Sequence, residues 1–229
     1  MKIGIIVAMQ KELHLLLGLL GENVEVLRND GRTYYRGHIG HHEIVASTCG
    51  IGKVNAALGA DSMIRGFEPQ LVINTGVAGG VGHTGAGILD VVVGERVAYH
   101  DVWCGSDNPH GVVEGLPHFY EGALAFVDPQ VWSTAKAPTR GLIASGDMFI
   151  SRPEEVEAIR ALYPDVCAVD MESAAIAQTC HLRGVPFMSV RVISDTPGAA
   201  DNISQYANFW EDAPRESMDT LAMLLENIA

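Results

Sequence analysis

A few charged residues stand where charge is ordinarily excluded. Asp195 closes the apolar run Ser189-Val190-Arg191-Val192-Ile193-Ser194 and precedes Thr196-Pro197-Gly198. It reads either as a turn-starting aspartate or as a carboxyl at a strand end, able to give a proton to a ligand. Arg191 lies inside that run. A cation in a buried strand is costly unless paired or functional, which favours a functional role. Glu172 sits in the small, apolar stretch Val169-Asp170-Met171-Glu172-Ser173-Ala174-Ala175-Ile176-Ala177, which reads as a buried helix with acids as dipole partners at its start. Asp170 and Glu172 are two apart and point in different directions, so at most one of them faces a given ligand. Glu12 follows the first apolar run, near the start of the first helix, a routine place for a glutamate. Gly76-Val77-Ala78-Gly79-Gly80 follows another apolar run and reads as a loop that admits close backbone approach. The histidines, His83 among them, show no HExxH or other tight metal spacing, so no metal is expected. The lack of GxxxxGK[ST] excludes a P-loop.

The elements that must position these residues alternate between strand-like and helix-like. Lys2 to Ala8, Val24 to Leu27, Arg32 to Ile39, Glu43 to Thr48, Gln70 to Thr75, Leu89 to Ala98, Gly141 to Ala144 and Pro186 to Ile193 read as strands. Gln10 to Leu20, Asn55 to Ile64, Pro153 to Leu162, Met171 to His181 and Phe209 to Ile228 read as helices, with Pro214 starting or kinking the last. Residues 103 to 122, rich in Gly, Pro and His, read as a long loop of the lid or interface kind. Continuous apolar strands between helices imply an α/β fold with a sheet covered on both faces. No composition break divides residues 1–229, so one domain is expected. Ligands in such folds bind beyond the carboxyl ends of the strands, and Gly76, His100, Ser145 and Asp195 fall just past strand ends.

Composition narrows the partners. The 229 residues carry a net charge of −13, which argues against nucleic acid and against an anionic membrane surface. Hydrophobic residues make up 48%, enough for a sizeable core, yet no apolar stretch is long enough to span a bilayer. Met1-Lys2-Ile3-Gly4-Ile5-Ile6-Val7-Ala8 reads as a buried first strand and not as a signal peptide. Cys49, Cys104, Cys167 and Cys180 are scattered, which makes a disulfide framework or a structural zinc improbable and agrees with a cytoplasmic chain. In that setting the sequon Asn202-Ile203-Ser204 is a chance match.

Taken in order, the motifs resemble those of the purine nucleoside phosphorylase superfamily, and within it the bacterial 5′-methylthioadenosine/S-adenosylhomocysteine nucleosidases. The resemblance rests on Met1-Lys2-Ile3-Gly4-Ile5-Ile6 with Ala8-Met9 and Glu12, and on Gly50-Ile51-Gly52-Lys53-Val54-Asn55-Ala56-Ala57. It continues through Ile73-Asn74-Thr75-Gly76, Ala78-Gly79-Gly80, Tyr99-His100-Asp101, Ser145-Gly146-Asp147, Phe149-Ile150, Met171-Glu172 and Ile193-Ser194-Asp195. It implies a central mixed, mostly parallel sheet flanked by helices, a nucleoside substrate, no cofactor and a homodimer. By the same resemblance Asp195 protonates adenine N7 with Ser194 holding its side chain, and Glu12 activates water. Glu172 grips the ribose hydroxyls, and Met171 packs on the sugar. Phe149 stacks on the base while the Ile150 backbone reads its edge. Arg191 lies near the attacking water, and Gly76 and Val77 flank the sugar.

The chemistry agrees with these roles. Breaking an N-glycosidic bond builds positive charge on the sugar, which nearby carboxylates stabilise. Adenine leaves poorly until N7 is protonated, and a general acid contributes roughly 10²- to 10⁴-fold. Asp195 must therefore stay protonated and Glu12 ionised, two carboxyls in opposite states. A phosphorylase would need cations for phosphate; the chain has no arginine before Arg28, and Glu12 suits water better. Hydrolysis of aminofutalosine or futalosine, and a non-catalytic nucleoside-binding protein, are the other readings. Departures from the family pattern fall at Val77, where a serine or other small polar residue is usual, and at Trp103-Cys104. The loop to Pro117-His118-Phe119 is shortened, and Tyr206 replaces the aromatic that covers the substrate. The 5′ end of the pocket is where these departures gather.

Overall fold

The apolar alternation that marks strands and helices folds into ten strands and six α-helices in a computed structural model that describes residues 1–81, 86–134, 137–212 and 214–228. His83 lies outside the described residues. In chain order the elements are β1 (Lys2–Val7), α1 (Gln10–Leu17), β2 (Glu25–Asn29), β3 (Arg32–Ile39), β4 (His42–Thr48), α2 (Lys53–Phe67), β5 (Leu71–Gly80) and β6 (Val91–Tyr99). There follow β7 (Tyr120–Glu121), β8 (Thr139–Ser145), α3 (Pro153–Leu162), β9 (Val166–Asp170), α4 (Ser173–Arg183), β10 (Phe187–Asp195), α5 (Asn202–Asp212) and α6 (Pro214–Glu226).

The sheet runs β10-β6-β8-β9-β5-β1-β4-β3-β2, and β10 also pairs with β5. That extra pairing closes β5, β10, β6, β8 and β9 into a ring, from which β1, β4, β3 and β2 extend as a wing. The sheet is mixed, and the long central ladders β1–β4, β5–β10 and β6–β8 are parallel. Antiparallel pairings form the wing hairpins and short contacts such as β5–β9. Helices cover both faces. Ala56, Ala60 and Met63 of α2 pack with Ala174, Ala175 and Ala177 of α4 in one core cluster. Leu13 and Leu16 of α1 join Phe209 of α5 and Leu221 and Leu224 of α6 in another.

Several boundaries differ from the sequence expectation. Residues 76–80 are not a loop: β5 continues through them to Gly80, pairing Gly79 and Gly80 with Val169 and Ala168 of β9. Val166–Asp170 is a buried strand that the sequence did not suggest, and Val169 and Asp170 belong to it and not to the helical stretch, because a short apolar run has no period that separates the two. Helix α4 therefore starts at Ser173, with Glu172 at its N-cap. The C-terminal helical region is two helices, with Pro214 starting the second.

Candidate active site

Asp195 is the last residue of β10 and is 2% exposed. Ser194 Oγ donates to its Oδ1 at 2.6 Å, and Asn202 Nδ2 at the start of α5 donates to Oδ2. Burial raises the pKa of Asp195, against the opposing pull of those two hydrogen bonds. It holds its proton to higher pH than an ordinary aspartate.

Glu12, buried in the first turn of α1, lines the same cavity as Asp195. Its Oε2 accepts the Ala8 and Met9 N–H groups at 2.9 and 2.8 Å, and its Oε1 accepts that of Val77 at 3.2 Å. The routine helix-start role and a functional one thus coexist in one side chain. Burial raises its pKa; Arg191 and the three amides pull the other way. Both carboxyls are shifted upward by burial, but of the two only Glu12 has a cation, Arg191, among the groups that favour its anion. A base with a raised pKa also takes protons more strongly.

Glu172 presents Oε1 to the Gly52 N–H at 2.9 Å and lies 3.9 Å from Arg191 Nη2. Burial first, then Asp170, pushes its pKa up to about 7. Asp170 and Glu172 both border the cavity, contrary to the expectation that at most one would. Asp170 is nevertheless occupied by protein: Ser145 Oγ donates to Oδ1, Ser173 Oγ to Oδ2 at 2.6 Å, and Arg191 Nη2 lies 2.5 Å from Oδ2.

The cavity encloses about 240 Å³. Glu12, Val77, Phe149, Ile150, Met171, Glu172, Ser194, Asp195 and Tyr206 all line it. Gly76 and Arg191 do not; they lie behind Glu12, where a Cβ on Gly76 would meet Glu12 Oε1 at 2.5 Å and Arg191 Nη1 at 2.8 Å. Half-exposed Phe149 packs edge-on to Tyr206, ring centroids 5.4 Å apart, across the mouth. Met9, part of the opening motif but given no role in the site, lines the wall and accepts from the Tyr206 hydroxyl at 3.6 Å through Sδ. Asn202 was missed as well, hidden in a sequon; its spacing of seven from Asp195 carried no signal until the turn between them was seen. None of the described residues lining the cavity is Lys or Arg. Among the described residues no three His, Cys, Asp or Glu side chains are grouped to hold a metal ion.

A family model described as "Phosphorylase superfamily" matches residues 2–229. The 5′-methylthioadenosine/S-adenosylhomocysteine nucleosidase of Listeria monocytogenes is 38% identical, covering 100% of both chains. The solved S-adenosylhomocysteine nucleosidase from Streptococcus pyogenes, in complex with 5-methylthiotubericidin, has a TM-score of 0.92 at 38% identity, over 100% of this chain and 98% of that one. The futalosine hydrolase of Helicobacter pylori has a TM-score of 0.90 at 30% identity, over 99% and 98%. With strands, cavity and sequence agreeing from end to end, the chain belongs to the phosphorylase superfamily.

Proposed function

We propose that the protein hydrolyses the N-glycosidic bond of 5′-methylthioadenosine and S-adenosylhomocysteine, releasing adenine. The observation that carries this reading is the placement of Glu12, Glu172 and Asp195 around one cavity, each carboxyl in a different setting. Protonated Asp195 gives its proton to adenine N7, oriented by Ser194 and Asn202. Phe149 and Ile150 hold the base. Glu172 accepts from the ribose hydroxyls, and Met171 packs on the sugar. Glu12 takes a proton from water as that water attacks the anomeric carbon, while Arg191, from behind Gly76, offsets the charge of Glu12. Gly76 and Val77 contribute backbone beside the sugar, so the apolar Val77 side chain leaves the Val77 amide free to serve Glu12. Tyr206 covers the 5′ end.

A cavity wall without Lys or Arg favours water over phosphate as the attacking group. The Listeria monocytogenes and Streptococcus pyogenes nucleosidases, at 38% identity, are also more similar than the futalosine hydrolase neighbour at 30%. The reading takes residues 1–229 as one domain, in keeping with the extent of the family match. It takes the protein as a homodimer: exposed Ile51, just before α2, with Val54 and Leu58 in its first turns, offers apolar surface suited to a second copy. It places the protein in the cytoplasm, in keeping with cysteines that form no disulfide. Among the described residues no helix is long and apolar enough to cross a membrane.

The test is a base-release assay with methylthioadenosine, adenosylhomocysteine, aminofutalosine and inosine, each with and without phosphate. Adenine is expected from the first two with no phosphate requirement. Obligatory phosphate, or turnover of aminofutalosine or inosine alone, overturns the reading. In the same assay Asp195→Asn should lower kcat at least about 10²-fold, the usual loss of a general acid. Near-normal turnover would mean that the proton comes from elsewhere.

A further inference from the structure

Three motifs far apart in sequence take no part in the chemistry above: Gly52-Lys53, His100-Asp101 and Gly146-Asp147. The fold brings them to one side of the cavity and ties them in a closed cycle. Lys53 Nζ donates to Asp101 Oδ1 and Oδ2 at 2.9 and 2.8 Å. Asp101 Oδ2 accepts the Asp147 N–H at 2.8 Å. Asp147 Oδ1 accepts the Lys53 N–H at 2.7 Å, at the first residue of α2. None of the three lines the cavity.

Each end of the cycle continues into the site. Gly52, one residue before Lys53, gives its N–H to Glu172 Oε1 at 2.9 Å. It does so at φ 91°, in a space where a Cβ would meet Asp147 Oδ1 at 2.9 Å. Met148, Phe149 and Ile150, directly after Asp147, line the cavity. An exposed ion pair is worth little for stability, but the Lys53 and Asp101 side chains are only 24% and 19% exposed and fix a geometry. Small misplacements of substrate-holding groups are costly in rate.

We propose that Lys53, Asp101 and Asp147 form a positioning clamp that holds the Gly52 amide on Glu172 and the Met148–Ile150 segment at a set distance from it. The grip on the sugar then depends on a lysine that touches no substrate. This inference rests on the nucleosidase reading, in which Glu172 binds the ribose hydroxyls.

The experiment compares methylthioadenosine with its 2′,3′-dideoxy analogue, measuring kcat, KM and Tm for the wild type, Lys53→Met, Lys53→Arg and Asp101→Asn. With the clamp broken, Lys53→Met and Asp101→Asn lose about tenfold of their kcat/KM preference for the ribonucleoside, the scale of one weakened hydrogen bond to a charged group. The loss falls mainly on the KM of the ribonucleoside. Lys53→Arg, which keeps a cation on Asp101, retains most of the preference. A lower Tm with unchanged preference overturns the clamp and leaves a structural ion pair. Should Lys53→Met fail to fold, Asp101→Asn, which keeps the side-chain shape, reads the same ratio. A wild type that releases base from neither nucleoside overturns the nucleosidase reading and the clamp together; an active wild type with unaltered preference in the variants overturns the clamp alone.

Discussion

Glu172 shows how a site can hold a carboxyl away from its ordinary state. Burial and Asp170 push its pKa in the fold up to about 7, above the ordinary glutamate value of 4.5. A group shifted upward contributes stability below its unfolded pKa, and that contribution is lost as pH rises through the folded value. The window therefore runs from 4.5 to about 7. Glu172→Gln keeps an oxygen for the Gly52 N–H but carries no charge, so its Tm relative to wild type should be higher at pH 8 than at pH 5. Thermal melts at both values check this; a difference that does not change with pH would mean that Glu172 titrates as an ordinary carboxyl. At this scale much was legible in the sequence. Asp195, Glu172 and Arg191 stood out because charge in an apolar run is costly. Asn202 and Met9 did not, since an amide after a turn and a methionine after a strand are unremarkable until the cavity brings them beside Asp195 and Tyr206.

Among the elements, β5 departs most from expectation. The glycine cluster read as a loop because glycine usually weakens strands. In the fold its missing side chains make room instead. A Cβ on Gly79 would meet Pro197 Cγ at 2.4 Å, and one on Gly76 would strike Glu12 and Arg191. Without side chains at Gly76 and Gly79 the strand can lie close against Glu12, Arg191 and Pro197. Gly76→Ala should cost about 1–3 kcal/mol of stability through overpacking and lower kcat by about 10²-fold through a displaced Glu12. Gly184→Ala is the control: it has positive φ but nothing within 4 Å, so it strains the backbone and leaves kcat unchanged. Equal effects of the two on kcat would show that space behind Glu12 is not the reason for Gly76. The same boundary problem hid β9, whose five buried residues run almost directly into α4. Apolar runs predicted the other long elements, which are amphipathic or wholly buried, except α5, whose residues 202–208 fell outside the expected helix.

Across the whole molecule, the ring of strands encloses a polar web that no single element reveals. Arg191 on β10 pairs with Asp170 on β9 and donates to Asn74 on β5 and to Ser173 on α4; Ser145 on β8 binds Asp170 as well. Both charged side chains are 1% exposed. Breaking a buried pair leaves one charge without compensation and typically costs about 3–5 kcal/mol. Asp170→Asn should lose stability on that scale in denaturant unfolding. Replacing both partners, Asp170→Leu with Arg191→Met, should recover most of it, since apolar packing can substitute for a buried pair. Activity should not recover in the double variant. Arg191 favours the ionised forms of both Glu12 and Glu172, and its loss leaves two mutually repelling buried carboxyls on one cavity without that offset. A double variant that is stable yet inactive would separate what the web does for the fold from what it does for the site. One that turns over normally would show that the guanidinium serves packing alone.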